Sequence, residues 1–258
     1  KYGIRINTNI IQDLQAAPIP IVTHYLKEKP QWSFFPWVFF PILNTNSNHL
    51  ISNKINPIKS QFPSSIDLMK NNITKKILLQ TTLNTNILNT PAIINLESLK
   101  EQPNEILFKG GKQNIAVLLE GVFESVFKDR IPNKIENHES INFQKHSKDT
   151  NQIVVISDGN LIQNQFMKGN PLPVGFDKHT GTQYGNGEFI LNTIDYLLNN
   201  KVFIEIRSKK IKLRLLNTKK IKNSKKYWQF FNILAPVIII VIIGIIMIFI
   251  RKRQYNTK

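Results

Sequence analysis

The sequence predicts an α/β soluble body of short strands and long loops, followed by one C-terminal transmembrane helix. Two observations carry this prediction. Residues 230–250 form a run of 21 residues without a charged side chain, and a helix of that length spans the ~30 Å hydrocarbon core of a bilayer. The body combines strand-length apolar runs with an amphipathic stretch at residues 188–199, whose apolar side chains recur at helical spacing.

Aromatic and basic residues stand at both ends of the apolar run. Tyr227 and Trp228 precede it, and Arg251, Lys252 and Arg253 follow it. Amphipathic rings favour the head-group region of a membrane, and long cationic side chains reach that region with their charged ends. The sequence therefore predicts that these five residues anchor the span in a lipid bilayer.

The net charge of +17 is concentrated beside the predicted span. Residues 1–200 carry 19 Lys and Arg against 16 Asp and Glu, whereas residues 201–258 carry 15 against one. A nucleic-acid interface would more typically place basic and aromatic residues on the body. Cations next to a span instead face anionic lipid head groups. The charge distribution thus favours lipid as a partner and argues against nucleic acid.

Changes in composition divide the chain into five segments. They are an N-terminal β-rich part of the body (1–112), an α/β part with a glycine-rich loop at 168–187 (113–208), a basic juxtamembrane helix (209–229), the span (230–250) and a basic tail (251–258). Because Lys1 opens the sequence in what reads as the middle of a fold, we expect the body to be truncated at its start.

Apolar runs bounded by turn residues predict the strands of the body. The clearest are residues 114–120 and 152–156, whose continuous apolar character is typical of strands covered on both faces. Shorter strands are predicted at residues 3–6, 19–22, 61–69, 76–82, 93–96 and 202–207, with a turn at 84–86 and a short helix at 161–167. Strand, loop, helix and strand in succession suggest an α/β unit with its functional edge at the carboxyl ends of the strands.

The most aromatic stretch of the body is WSFFPWVFFPIL, residues 32–43. Pro36 and Pro41 prevent a regular helix and favour extended conformations at the residues before them. We interpret this stretch as a loop whose aromatic rings fill the core. The alternative is an exposed contact for a membrane or a partner, since a large apolar patch is rarely left in water without a use.

Candidate chemistry is concentrated where the strand at 152–156 ends. Asp158 either caps the turn that follows or takes part in a site. The segment VVISDG looks like part of a von Willebrand A domain, where such an aspartate helps hold a divalent cation, but the Asp-x-Ser-x-Ser loop of that site is missing. Ser157 follows a strand as a nucleophile would, but the first glycine of a Gly-x-Ser-x-Gly elbow is absent.

Other catalytic or cofactor-binding patterns are missing from the sequence. There is no cysteine, which excludes disulfides, thiolate metal sites and cysteine nucleophiles. The five histidines show neither His-x-x-x-His nor Glu-x-x-His spacing, and neither a P-loop nor a Gly-x-Gly-x-x-Gly motif is present. We therefore predict no catalytic residue, no metal and no cofactor.

A family resemblance covers nearly the whole chain. The segment SDGNLIQNQFMKGNPLPVGFDKHTGTQYGNGEFILNTIDYLL, which contains Asp158, is similar to the C-terminal body of GldG, the gliding-motility-associated auxiliary subunit of an ABC transporter. The pieces LPVGFDKHTG and YGN are its most specific parts. The resemblance extends through GIRINTNIIQDLQAAPIP, QFPSSID, IAVLLEGVFESVFK and IRSKKIKLRLL to the C-terminal span.

The resemblance implies a function. GldG-like proteins carry a further N-terminal region with another span, and their expected partners are an ABC ATPase and a permease. Their body is expected in the periplasm, outside the cytoplasmic (inner) membrane. The family is often labelled substrate-binding, with no established substrate and no assigned catalytic residues. We therefore expect a non-enzymatic, membrane-anchored auxiliary subunit of an ABC transporter associated with gliding motility.

We expect this subunit to contact a ligand or partner through the Asp158 edge and the glycine-rich loop. The predicted contact residues are Asp158, Gly159, Asn160, Phe176, Asp177, Gly181, Tyr184, Gly185 and Asn186. The alternative hypothesis is a membrane-anchored hydrolase or a divalent-ion-dependent binding domain centred on Ser157 and Asp158.

The charge around the span conflicts with a periplasmic body. Nine Lys and Arg lie between residues 209 and 229, and four follow residue 250. By the positive-inside rule this asymmetry would place the body in the cytoplasm. Long domains translocate largely regardless of charge, and an upstream span would set the orientation first. We therefore keep the periplasmic expectation that the resemblance implies.

Overall fold

The computed structural model describes residues 2–45, 48–99, 102–208 and 218–255. The chain forms two compact units, Lys1–Lys209 and Lys210–Lys258. The strands of the first unit are β1 (Ile4–Ile6), β2 (Asn9–Asp13), β3 (Ala16–Leu26), β4 (Lys29–Thr45), β5 (Ile58–Lys59), β6 (Ile66–Leu68), β7 (Thr74–Gln80), β8 (Thr85–Asn89), β9 (Asn114–Gly121), β10 (Asn151–Ile156), β11 (Phe166–Met167), β12 (Asn170–Pro171), β13 (Phe176–Asp177) and β14 (Thr182–Gln183). The α-helices are α1 (Asn133–Glu136), α2 (Asn186–Leu197) and α3 (Lys201–Ser208) in the first unit and α4 (Thr218–Tyr255) in the second.

A central antiparallel sheet organises the first unit. Its strand order is β10-β9-β7-β4-β3, and β5 also pairs with β4. Four two-stranded sheets join β1 to β6, β2 to β8, β11 to β12 and β13 to β14. The predicted fold class is thus confirmed as a mixed, β-rich body with short helices, followed by one long apolar helix.

The strand β9 divides the core of the body into two clusters. Ala116 and Leu118 belong to a larger cluster that α2 also enters, whereas Val117 and Leu119 belong to a smaller one on the other side. Successive side chains of a strand point to opposite faces, so a strand covered on both faces is apolar at every position. The predicted strand at 114–120 is confirmed for this reason, and so is its neighbour at 152–156.

The helix α2 closes the larger cluster. Phe189 is fully buried there and Tyr196 is buried in the same cluster, which confirms the helix predicted at residues 188–199. The predicted apolar face is wrong in part. Ile194, Leu197 and Leu198 are exposed, whereas Asn192 and Thr193 are buried.

A polar group fixes α2 to β9. The Tyr196 hydroxyl donates to Glu120 Oε1 (3.0 Å), and Lys76 Nζ lies 2.6 Å from Glu120 Oε2. Burial and the bond to Glu120 raise the pKa of Tyr196 to about 12, so the hydroxyl keeps its proton and remains a donor.

The prediction of a loop at residues 32–43 is wrong. This aromatic stretch is part of the 17-residue strand β4. Proline fixes φ near a value that an extended strand accepts, and it is tolerated at irregularities of a sheet. Pro36 lies opposite Pro18, beside a register shift between Ala16 and Pro18. The part of the interpretation that placed aromatic rings in the core is correct for Trp37 and Phe39, which are buried.

The prediction of a strand at residues 202–207 is wrong, because these residues form helix α3. Their β-branched and aromatic composition favours a strand, but tertiary contacts override this preference. Ile204 is fully buried in the cluster that contains Phe189, and Arg207 pairs with Asp195 and with the Asn192 side chain of α2.

Several shorter elements also differ from the predictions. The expected helix at 161–167 is a 3₁₀ turn at Gly159–Ile162 followed by β11, and the expected turn at 84–86 contains the start of β8. Residues 93–95 form no strand, and only Ile66–Leu68 is extended within 61–69. The predicted α/β unit is also wrong in detail, since β9 and β10 are antiparallel. Asp158 therefore follows β10 at the edge where β9 begins.

The helix α4 contains the predicted span. Its segment Gln229–Arg253 is 25 residues long, and none of its most apolar stretch is buried. By length and composition this helix is able to cross a membrane. Tyr227 and the three basic residues Arg251, Lys252 and Arg253 are exposed at its ends, whereas the Trp228 side chain and residues 209–217 lie outside the described part. The segment boundaries within the body, at residue 112 in particular, stay a prediction.

We expect Phe189→Ala to destabilise the body by about 3–5 kcal/mol, because it removes a fully buried ring and leaves a cavity in the larger cluster. Urea unfolding of the full chain in detergent micelles, followed by intrinsic fluorescence, measures this change. Leu191→Ala on the exposed side of the same helix is the control, with an expected effect within about 0.5 kcal/mol. Equal effects of the two variants would contradict this packing.

Candidate functional site

The glycine-rich segment 168–187 is folded onto the residues around β5. It contributes β12 and the two-stranded sheet of β13 and β14, and helix α2 begins at its last residues. The Gly185 N–H donates to the Pro57 carbonyl (3.0 Å), and the Tyr184 N–H to the Gly175 carbonyl (2.9 Å). The segment predicted to be a long loop is therefore joined to Pro57 near its C-terminal end and closed on itself by the bond between Tyr184 and Gly175.

The buried side chain of Asn186 joins three parts of the chain. Its Oδ1 accepts from the Lys59 N–H (3.1 Å), while its Nδ2 donates to the carbonyls of Lys59 (2.8 Å) and Leu161 (3.0 Å). A carboxamide offers both an acceptor and two donors, so it satisfies the backbone of β5 as a neighbouring strand would. Asn186 therefore ties the start of α2 to β5 and to the turn after β10.

A buried ion pair lies next to this amide. Lys59 Nζ is 2.5 Å from Asp177 Oδ2, and both side chains are buried. Asp177 Oδ1 also accepts from the backbone N–H groups of His179 (3.0 Å) and Thr180 (3.3 Å). Burial raises the pKa of Asp177, but Lys59 and the two N–H groups outweigh it and hold the pKa below its ordinary value. The carboxylate stays ionised and compensates the buried ammonium.

Asp158 is the fourth buried polar residue of the group. Its Oδ2 accepts from the Ser60 hydroxyl (2.6 Å) and the Gln61 N–H (2.8 Å), and its Oδ1 accepts from the Asn160 N–H (2.8 Å). The last bond caps the 3₁₀ turn that begins at Gly159. Asp158 therefore fixes the chain after β10 against the chain after β5. We call Lys59, Asp158, Asp177 and Asn186 the polar clamp.

Two glycines allow the close approach that the clamp requires. A Cβ on Gly185 would lie 2.3 Å from the Asn56 carbonyl oxygen, far inside van der Waals contact. Gly175 has a φ of +81°, and a Cβ there would lie 2.8 Å from the Tyr184 carbonyl oxygen. The sequence places glycine where two backbones touch, so these glycines belong to the packing of the segment.

The structure brings the predicted contact residues into one region, but with different exposures. Asp158, Asp177, Tyr184, Gly185 and Asn186 are buried, Phe176 is half-buried, and Gly159, Asn160 and Gly181 are exposed. A cleft of about 40 Å³ lies between them, lined by Lys59, Gln61, Asn160, Gln163, Gln165, Gly175, Phe176, Asp177 and Asn186. Small-molecule pockets enclose roughly 300–1,000 Å³, so this cleft holds water at most and the region offers a surface.

Sequence reasoning missed the β5 side of the clamp. Lys59 lies 118 residues from Asp177, and Ser60 lies 98 residues from Asp158. No spacing or motif links such distant positions. A lysine after an apolar residue reads as an exposed side chain, and only the fold shows that it is buried.

The bonds at Ser157 bear on the hydrolase alternative. The Ser157 hydroxyl donates to the carbonyls of Ser64 (2.5 Å) and Ile115 (3.2 Å), and a carbonyl cannot take its proton as a general base. Across the described ranges, no group of three or more His, Asp and Glu side chains is placed to hold a metal ion. The bonding at this edge therefore serves to join strands and turns.

A β-rich body that presents a fixed surface, followed along the chain by a helix of membrane-spanning length, defines a class of membrane-associated accessory proteins. The chain belongs to the family described as ABC-type uncharacterized transport system, whose profile matches residues 1–193. It is therefore an auxiliary component of an ABC-type transport system. No curated protein and no solved structure matches the chain. The family match confirms the predicted transport class and carries no information on gliding motility.

We expect Asp177→Asn to destabilise the body by about 3–5 kcal/mol, because it leaves the buried Lys59 ammonium unpaired. Urea unfolding at pH 7 measures the loss. Asp67→Asn is the matched control, since it breaks the exposed pair with Arg5 and such pairs contribute at most about 1 kcal/mol. A loss no larger than that of the control would contradict the clamp.

The pH dependence of the same pair has a defined sign. Because the folded-state pKa of Asp177 is lowered, its stabilisation is complete above the ordinary carboxyl value of 3.8 and is lost as the pH falls through the lowered value. The stability difference between wild type and Asp177→Asn should therefore be constant from pH 5 to 7 and shrink only below about pH 4.

We expect Gly185→Ala to displace the glycine-rich segment, because the added methyl group overlaps the Asn56 carbonyl. Limited proteolysis should then cut within residues 168–187 many times faster than in the wild type. Gly159→Ala is the control, since a Cβ there meets nothing within 4 Å. Equal cleavage of wild type and Gly185→Ala would show that the segment does not depend on this close contact.

Proposed function

We propose that the protein is a non-enzymatic, membrane-anchored auxiliary subunit that assembles with the ATPase and permease of an ABC transporter. The observation that carries the proposal is the family match over residues 1–193, combined with the apolar helix Gln229–Arg253 that follows it. The body would supply the surface that contacts a ligand or partner. The helix would anchor the protein in the inner membrane and contact the permease.

Two finer features of the proposal rest on the resemblance to GldG. The segment LPVGFDKHTG, followed by YGN, supports an association with gliding motility, and with it a substrate-binding body on the periplasmic side. The clamp is consistent with this reading, because the most specific part of the resemblance is the part that the clamp holds in place. The periplasmic body remains in conflict with the basic residues before the span.

The proposed contact surface is the exposed rim of the clamp. Gly159, Asn160 and Gly181 are exposed, and Phe176 is half-buried beside them. The buried members cannot reach a partner directly, but they determine where the rim residues lie. Since the cleft beneath them is too small for a substrate, we propose that this rim binds another protein or one side of a larger ligand.

The proposal predicts that an ABC ATPase and a permease co-purify with the tagged full chain. Asn160→Arg should weaken co-purification at least tenfold, because a long charged side chain at the rim disrupts a fitted contact. Asn72→Arg, at an exposed position before β7, is the control and should co-purify as the wild type does.

A second variant separates anchoring from docking. Replacing residues 229–253 by an unrelated apolar helix of equal length should keep the chain in the membrane fraction but reduce co-purification of the permease. Unchanged co-purification with this helix would contradict docking through the span. Absence of both partners from the wild-type preparation would contradict the proposed assembly itself.

A further inference from the structure

The hairpin of β3 and β4 extends beyond the rest of the sheet. Leu26 pairs with Lys29 across a two-residue turn, in which Lys27 and Glu28 both have positive φ as a type I′ turn requires. Residues 23–30 are all exposed. At ~3.3 Å per residue, with about four residues on each strand, this outer part of the hairpin is roughly 13 Å long. We call residues 18–36 the ribbon.

One face of the ribbon is apolar on both strands. Opposite residues of an antiparallel pair point to the same face, and positions two apart along a strand share it. The pairs on this face are Tyr25–Pro30, Val22–Trp32 and Pro20–Phe34. Tyr25 is 70% exposed, Trp32 57% and Phe34 48%. A register shift between Val22 and His24 keeps Tyr25 on the same face as Trp32.

The opposite face of the outer ribbon is mixed, because it carries polar side chains together with Ile21 and the exposed Leu26. His24 pairs with Gln31, and Ile21 pairs with Ser33. The Thr23 hydroxyl lies 3.3 Å from the Ser33 hydroxyl and 3.2 Å from His24 Nδ1. The exposed aromatic rings thus lie on one face of the ribbon, and the hydroxyl, amide and imidazole groups lie on the other, which resembles the division of an amphipathic interfacial helix.

The residue types and charges of the ribbon fit a lipid surface. Tyr and Trp are the residues that favour the membrane–water interface, and both stand on the apolar face. The tip carries Lys27 and Lys29 against the single carboxylate of Glu28, so it is attracted to anionic head groups. The chain also contains a helix of spanning length, which would keep the body at a bilayer.

A second copy of the chain fits the ribbon less well. The strand β3 is at an end of the sheet order, where another strand could in principle add. Pro18 and Pro20 lack the N–H groups that such an addition needs, which is a common protection of edge strands. The cationic tips of two copies would also repel each other if they packed side by side.

We propose that the ribbon lies in the membrane–water interface, with Tyr25, Trp32 and Phe34 among the lipid acyl chains and Lys27 and Lys29 at anionic head groups. This second attachment rests on the membrane anchoring proposed above. It would fix the orientation of the body relative to the bilayer, which a single point of attachment does not do.

Spin labelling of the full chain in proteoliposomes tests the proposal, and the absence of native cysteine makes single labelling direct. A nitroxide at Phe34→Cys reports the apolar face, and one at Ser33→Cys reports the opposite face at the same distance from the tip. In vesicles that contain phosphatidylglycerol, the label at 34 should collide more with oxygen than with a water-soluble nickel chelate. The label at 33 should show the reverse preference.

The other outcomes separate the ribbon from the anchoring. Release of the full chain from the vesicles by alkaline carbonate would overturn the anchoring and the ribbon inference with it. A retained chain whose label at 34 is open to the nickel chelate would overturn the ribbon inference alone. A label at 34 shielded from both reagents would show that protein covers this face, which also overturns the lipid assignment.

Discussion

The attachment of the glycine-rich segment to β5 is the constraint on which the candidate surface depends. Asn186 replaces a missing neighbouring strand by bonding both backbone groups of Lys59. The Lys59 side chain, which this position directs into the interior, finds its compensating charge in Asp177. An unpaired charge or amide at such a depth costs several kcal/mol. The segment therefore has one favourable position on the body, and its exposed residues inherit that position.

The sequence predicted the elements whose pattern has a single physical cause. The strand β9 is apolar from Ile115 to Leu119 because it separates two clusters. The helix α2 is predicted by the helical spacing of its apolar residues, of which Phe189 and Ile190 pack in the larger cluster. The sequence failed where long-range packing decided the outcome. Proline at 36 and 41 excludes a regular helix, and the sequence predicted a loop there. The stretch is instead a strand that pairs with β3 beside an irregularity between Ala16 and Pro18. The composition of residues 202–207 also predicted a strand. These residues form helix α3, in which Ile204 packs into the larger cluster.

The sequence likewise predicted only part of the candidate site. Its glycines and aspartates stand out along residues 158–186, because turns and caps leave a local signal. Lys59 and Ser60 leave none, since their partners are about a hundred residues away. Burial also changes the role expected for the predicted residues. Asp158 and Asp177 are buried supports, and the exposed positions around Asn160 and Gly181 are what a partner would meet.

The basic residues and the apolar helix lie outside the part of the chain that matches the family. The excess of basic residues lies beside the apolar helix, while the body is nearly balanced in charge. The family match ends at residue 193, before both of these features.

Hydrogen exchange of the full chain, read by mass spectrometry on peptides covering residues 57–61 and 175–186, tests the central claim most directly. The amides of Lys59, Gln61, Tyr184 and Gly185 all donate within the body, so both peptides should exchange as slowly as the core strands. Asn186→Ala should release both peptides together. Rapid exchange of 175–186 in the wild type, or release of that peptide alone in the variant, would contradict a segment held by β5.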